Sequence, residues 1–264
     1  MKKAILLAAV ALAACQPSSK DAATNATANA AAPAEAGGKP VWLHASDNLN
    51  VKGTYYAAKD PKAIILLYHQ AGSSKDEYAT IAPKLVDAGY SALAIDQRAG
   101  GDMYGTNETA EHMPKGWKNS MEDAEQDMEG AIRWTQPFGK PVILWGSSYS
   151  ASLVIPLANS HPEAVKAVLS FSPGEYFPDK HRVGRAAAQL EVPIFITSAA
   201  TPDEEAKAKA IADRVPDHLA TLYVPKAGVH GSSTLIEAKD PDGTKANWDA
   251  VMAFLDKLPL SKGA

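Results

Sequence analysis

Five short, largely apolar runs constrain this chain more than any other feature: Ala63-Ile64-Ile65-Leu66-Leu67-Tyr68, then residues 90–95, 142–145, 164–171 and 193–197. A strand with one wet face alternates apolar and polar residues. A strand that is apolar throughout is buried on both faces, as in a parallel sheet covered by helices on each side. The segments between these runs carry the helical period instead. Tyr78, Ile81, Ala82, Leu85 and Val86 fall at i, i+3, i+4, i+7 and i+8, and Gly89 follows where a C-cap glycine belongs. Met121, Ala124, Met128, Ala131 and Ile132 mark a second helix, residues 151–160 and 204–215 two more, and Trp248, Val251, Met252 and Leu255 the last. Residues 219–224 read as a final strand. Residues 41–45 and 51–57 flank Asp47-Asn48 as an antiparallel hairpin would. Strands alternating with helices predict one α/β domain over residues 41–264, with a mostly parallel central sheet, a leading antiparallel hairpin and flanking helices. Residues 96–119 and 173–190 are expected to be excursions between elements.

The first forty residues have another texture. Met1-Lys2-Lys3 is a short basic region, and residues 4–11 are apolar. That run is well short of the roughly 20 residues a spanning helix needs, so it reads as a cleaved signal peptide over residues 1–14. Leu12-Ala13-Ala14-Cys15 resembles a bacterial lipobox, which implies that Cys15 becomes a lipidated N-terminus. Gln16 follows rather than Asp, so the resemblance to sorted lipoproteins implies an outer-membrane lipoprotein facing the periplasm. Residues 15–40 hold almost no large apolar side chains and read as the lipidated cysteine with a disordered tether.

Composition narrows the partners. Cys15 is the single cysteine of 264 residues, which excludes an internal disulfide framework and a cysteine zinc cluster. Twenty-six Lys and Arg against 30 Asp and Glu give a net charge of −4, and loss of Lys2 and Lys3 takes it to −6. No nucleic-acid partner is expected from such a balance. No metal-ligand spacing is present, and neither a metal nor a cofactor is expected.

The chemistry lies in Val142-Ile143-Leu144-Trp145-Gly146-Ser147-Ser148-Tyr149-Ser150, a buried strand, then G-x-S-x-S, then a helix. Small residues two before and two after Ser148 permit a sharp strand-to-helix turn that exposes its Oγ at the carboxyl edge of the sheet. Serine needs a neighbouring base to act as a nucleophile. Of seven histidines, His230 is best placed, in Gly228-Val229-His230-Gly231 just after the last predicted strand. His69 ends the 63–68 strand instead. The imidazole needs a carboxylate to fix its tautomer. Asp203 lies nearest the point where the chain leaves the 193–197 strand, and Glu204 is the alternative.

Ser148, Asp203 and His230, in that order over α/β alternation, resemble the α/β-hydrolase family. Within it the chain looks most similar to small dienelactone-hydrolase-like esterases with little or no cap. The resemblance implies hydrolysis of a small-molecule carboxylic ester through an acyl-enzyme. It also implies an oxyanion hole from the backbone N–H of Tyr149 and a second donor on the 69–72 loop, Ala71 ahead of Gln70. Dienelactone hydrolases use a cysteine nucleophile where this chain has Ser148, so their substrate does not transfer. Ser150 stands where glycine is commoner, which demands a more open turn. Arg98 is expected to hold its loop by an ion pair, with contact to an anionic substrate as the alternative. Amide or peptide hydrolysis, and a non-catalytic ligand-binding lipoprotein of the same fold, remain as alternatives.

Overall fold

The computed structural model describes residues 37–260. The expected signal peptide, Cys15 and nearly all of the tether lie outside the described residues. Eight strands form one sheet: β1 (Lys39–His44), β2 (Asn50–Tyr56), β3 (Ile64–Tyr68), β4 (Ser91–Ile95), β5 (Val142–Ser147), β6 (Val165–Phe171), β7 (Ile194–Thr197) and β8 (Ala220–Leu222). Their order across the sheet is β1-β2-β4-β3-β5-β6-β7-β8. β1 and β2 are antiparallel, as are β2 and β4, and every pairing beyond β4 is parallel.

The apolar runs are buried on both faces, as expected. Ile64, Leu66 and Tyr68 of β3 pack on one side with α3 (Glu125–Thr135), α4 (Tyr149–Ser160), α5 (Arg182–Ala187) and α6 (Pro202–Ala212). Ile65 and Leu67, one residue out of phase, pack on the other with α1 (Ala82–Asp87) and α7 (Thr244–Leu255). Successive side chains of a strand point to opposite faces, so each strand feeds two cores. The carboxyl ends of β3, β5, β6 and β7 meet along one sheet edge, and the segments leaving them carry the candidate residues.

Two local differences have physical causes. The first helical segment divides into a 3₁₀ turn, Lys75–Tyr78, and α1, because Pro83 has no N–H to give and is accommodated only at a helix start. The 96–119 excursion contains α2 (Glu108–His112), nucleated by the Asn107 side chain accepting from Ala110 N at 2.8 Å. The 173–190 excursion holds only the six-residue α5, consistent with little or no cap.

Arg98 is the tie expected of it. Its guanidinium is buried and donates to Asp127 Oδ1 at 2.8 Å and Asp47 Oδ2 at 2.7 Å, while its N–H donates to Asp127 Oδ2 at 2.8 Å. One side chain so joins the loop after β4, helix α3 and the β1–β2 turn. Arg98→Met strands the buried Asp127 carboxylate, and a loss of about 3–5 kcal/mol is expected in urea-unfolding free energy.

Candidate active site

β5 ends in Gly146-Ser147 and α4 begins at Tyr149, so Ser148 makes the turn by itself. Its φ is +59° and its ψ −120°. A side chain in that region costs roughly 1–3 kcal/mol, strain that the surrounding packing must hold. Gly146 lets the turn close, since a β-carbon there would lie 2.4 Å from the Ser150 carbonyl carbon. Ser150, where glycine is commoner, is engaged at this turn. Its hydroxyl donates to the His69 carbonyl at 2.7 Å and to Gln97 Oε1 at 3.1 Å, tying the helix start to the ends of β3 and β4.

Ser148 Oγ lies 2.8 Å from His230 Nε2. On the far side of the ring, His230 Nδ1 lies 2.8 Å from Glu204 Oε1. With Nδ1–H donating to the carboxylate, Nε2 is left to accept the serine proton. Three backbone bonds hold the histidine loop in place. Ala200 N donates to the Gly228 carbonyl at 3.0 Å, Gly231 N to Ser172 Oγ at 2.9 Å, and Ser232 N to Ser147 Oγ at 2.9 Å. Gly231 has φ +67°, and a β-carbon on it would fall 2.3 Å from Ser147 Oγ. Only glycine lets the chain after the imidazole settle on the elbow.

Asp203, the expected acid, does not reach His230. Thr201 caps α6, so residues 203 and 204 already sit in its first turn, about 100° apart around the axis. Asp203 points outward, 77% exposed, and pairs with Lys207 Nζ at 2.6 Å one turn on. Glu204 points inward, and its Oε2 accepts from Ala199 N at 3.1 Å. Burial pushes the Glu204 carboxyl up, but the hydrogen bonds from His230, Ser172 and Ala199 outweigh it and hold it at about 2. It stays ionised far below neutral pH. Sequence reasoning kept Glu204 second because position along the chain does not reveal helical phase at an undefined helix start.

The 69–72 loop lies opposite. His69 is wholly buried, which brings its imidazole down to about 4 and keeps it neutral. Nε2 accepts from Gln97 N at 2.9 Å, so Nδ1–H donates to the Gln70 carbonyl at 2.8 Å. Gln70 N is engaged with Glu77 Oε2 at 2.9 Å. Among the described residues neither Ala71 N–H nor Tyr149 N–H has a hydrogen-bond partner. Tyr149 N–H belongs to the first turn of α4, where the helix itself supplies no acceptor. Glu77 was not singled out from sequence, since its polar neighbours Ser73 to Asp76 give no sign of burial.

The 96–119 and 173–190 excursions each send a tyrosine toward the site. Tyr104 Oη is hydrogen-bonded with Ser233 Oγ at 2.5 Å, and Tyr176 Oη donates to the Ser172 carbonyl at 2.9 Å. Ser148 is 8% exposed, while the His230 side chain is 39% exposed, so the imidazole edge faces solvent. Among the described residues no group of three or more His, Cys, Asp or Glu could hold a metal ion.

Solved structures share the fold of this chain. An esterase of Pyrococcus furiosus superposes with a TM-score of 0.63 at 18% identity, over 85% of this chain and 93% of its own. A dienelactone hydrolase from Anabaena variabilis gives 0.60 at 16% identity, over 81% and 98%. A monoacylglycerol lipase of Paleococcus ferrophilus gives 0.58 at 14% identity, over 78% and 98%. No curated protein matches the chain in sequence. The family model described as serine aminopeptidase, S33 matches residues 59–219, more than half of the chain. A hydrolase of the α/β-hydrolase fold, the chain belongs to that serine aminopeptidase (S33) family.

Proposed function

We propose that the protein hydrolyses a small carboxylic ester through an acyl-enzyme on Ser148, with His230 as base and acid and Glu204 as the orienting carboxylate. The observation that carries this reading is the pair of 2.8 Å contacts, Ser148 Oγ to His230 Nε2 and His230 Nδ1 to Glu204 Oε1, built on a strained serine. Ser148 Oγ attacks the carbonyl carbon while His230 Nε2 takes its proton. The tetrahedral oxyanion lies against the N–H groups of Tyr149 and Ala71. Collapse breaks the ester C–O bond, and His230 returns the proton to the departing alcohol. Water, deprotonated by the same imidazole, then attacks the acyl carbon and frees Ser148 with release of the acid. Glu204, ionised throughout, stabilises the imidazolium without taking its proton.

The ester class is supported by the esterase, the dienelactone hydrolase and the lipase among the structural neighbours. The family description supports a second reading, removal of amino-terminal residues from peptides. Assay of the full chain on p-nitrophenyl butyrate and on leucine p-nitroanilide separates the two. Ester turnover with an acyl-enzyme burst is expected, and cleavage of the anilide alone would overturn the ester assignment.

The proposal extends to the N-terminus. Lipid on Cys15 would hold the domain at the outer membrane on the periplasmic side, with residues 16–38 as tether, since β1 already begins at Lys39. Radiolabelled palmitate is expected to label the wild type in a bacterial host, and Cys15→Ser is expected to lose label and membrane association together. A Cys15→Ser protein that still sediments with membranes would sink the anchor.

A further inference from the structure

Glu77 is a wholly buried carboxylate that the reaction sequence above does not use. No Lys, Arg or His pairs with it among the described residues; its partners are neutral donors. Burial pushes its carboxyl up against the hydrogen bonds that favour the ionised form. Burying an acid without a cation is costly, and packing alone would be served as well by an apolar residue. What Glu77 gains is contact with two loops of the site and, through Ser147, a tie to the third. Oε2 accepts from Gln70 N on the oxyanion loop at 2.9 Å, and Oε1 accepts from Ser147 Oγ on the elbow at 2.7 Å. Ser147 Oγ in turn accepts from Ser232 N, two residues past His230, at 2.9 Å.

The peptide planes of the oxyanion loop follow from these contacts. The 69–70 peptide is fixed at both ends, its carbonyl by Ser150 Oγ at 2.7 Å and its N–H by Glu77 at 2.9 Å. The 70–71 peptide has its carbonyl held by His69 Nδ1 at 2.8 Å, and a trans peptide points its N–H the opposite way. The Ala71 N–H is so aimed by the hold of His69 on the Gln70 carbonyl, next to a 69–70 peptide that Glu77 fixes through the Gln70 N–H.

We infer that Glu77 is a positioning residue of the proposed hydrolase, setting the Ala71 oxyanion donor and the His230 loop relative to Ser148 through Gln70 N–H and Ser147. The inference rests on the hydrolase reading, and its test keeps the two apart. Active sites of wild type, Glu77→Met, Glu77→Asp and Glu77→Gln are counted by fluorophosphonate uptake, and kcat and KM for p-nitrophenyl butyrate are expressed per labelled site. Glu77→Met frees the Gln70 N–H and releases Ser147, and a fall of about 100-fold in kcat per site is expected, the scale of losing one oxyanion donor. KM is expected to change far less, because the donor acts on the developing oxyanion. Glu77→Gln keeps an acceptor for the Gln70 N–H and is expected to fall by less. If Glu77→Met does not fold, Glu77→Asp decides, since a side chain one methylene shorter cannot reach both donors. Its kcat per site is expected to drop about tenfold. Unchanged kcat per labelled site in the folded variants, with only the labelled fraction or thermal stability reduced, would overturn the inference and leave a structural role. A wild type that takes up no phosphonate would overturn the hydrolase reading itself.

Discussion

Ser148→Ala is expected to lower kcat for p-nitrophenyl butyrate on the order of 10⁶-fold, with a circular dichroism spectrum and thermal midpoint close to wild type. The size follows from the division of labour. Without Oγ no acyl-enzyme forms, and His230 and the two N–H donors are left to assist a water that nothing positions. Members of such a unit are not additive, so adding His230→Ala to Ser148→Ala is expected to cost little more. The fold is spared because the hydrogen bond that the Ser148 side chain makes to His230 goes to a partly exposed imidazole. Alanine keeps the β-carbon and so keeps the strain at φ +59° rather than relieving it. A Ser148→Ala protein retaining more than a few per cent of wild-type turnover would remove the nucleophile assignment.

Glu204→Gln is the second large effect, about 10⁴-fold in kcat. The environment dictates how the new amide sits. Ala199 N–H donates to Oε2 at 3.1 Å, so the amide oxygen takes that place and the NH₂ turns toward His230 Nδ1. The imidazole then accepts at Nδ1 and carries its proton on Nε2, where it cannot receive one from Ser148. Asp203→Asn is expected to leave kcat within a few-fold, since Asp203 meets only Lys207 on the outer face of α6. The pair of variants decides between neighbours. Collapse in Asp203→Asn with turnover kept in Glu204→Gln would reverse the assignment. The Glu204 carboxyl, held at about 2, loses its proton well below the assay range and is ionised throughout it.

What the sequence disclosed depended on range. The β3, β5 and β6 strands were legible because two-sided burial writes an apolar run that no wet strand or amphipathic helix shares. The elbow was legible because three local demands coincide at Gly146, Ser148 and Tyr149: a small residue, a nucleophile and a helix start. His230 needed only its flanking glycines and its place after the last strand. The acid was harder, because whether 203 or 204 faces inward depends on where α6 starts, and Thr201-Pro202 sets that phase only once the preceding loop is placed. Glu77 was invisible. Nothing in Ser73-Ser74-Lys75-Asp76-Glu77-Tyr78 separates a solvated turn from one folded under the elbow. Lys75 is nearly as hidden, its N–H and Nζ both donating to the buried Asp96 at 2.7 and 3.0 Å. Burial of charge is decided by contacts between distant segments, and a local pattern does not carry it.

Whether Ser148 is a nucleophile activated by His230 is decided by intact-protein mass spectrometry after treatment with a fluorophosphonate. The wild type is expected to gain one phosphonyl group, with peptide mapping placing it on Ser148. Ser148→Ala is expected to gain none, and His230→Ala to react far more slowly. A folded wild type that takes up no phosphonate, or a Ser148→Ala variant labelled as fully as wild type, would contradict it.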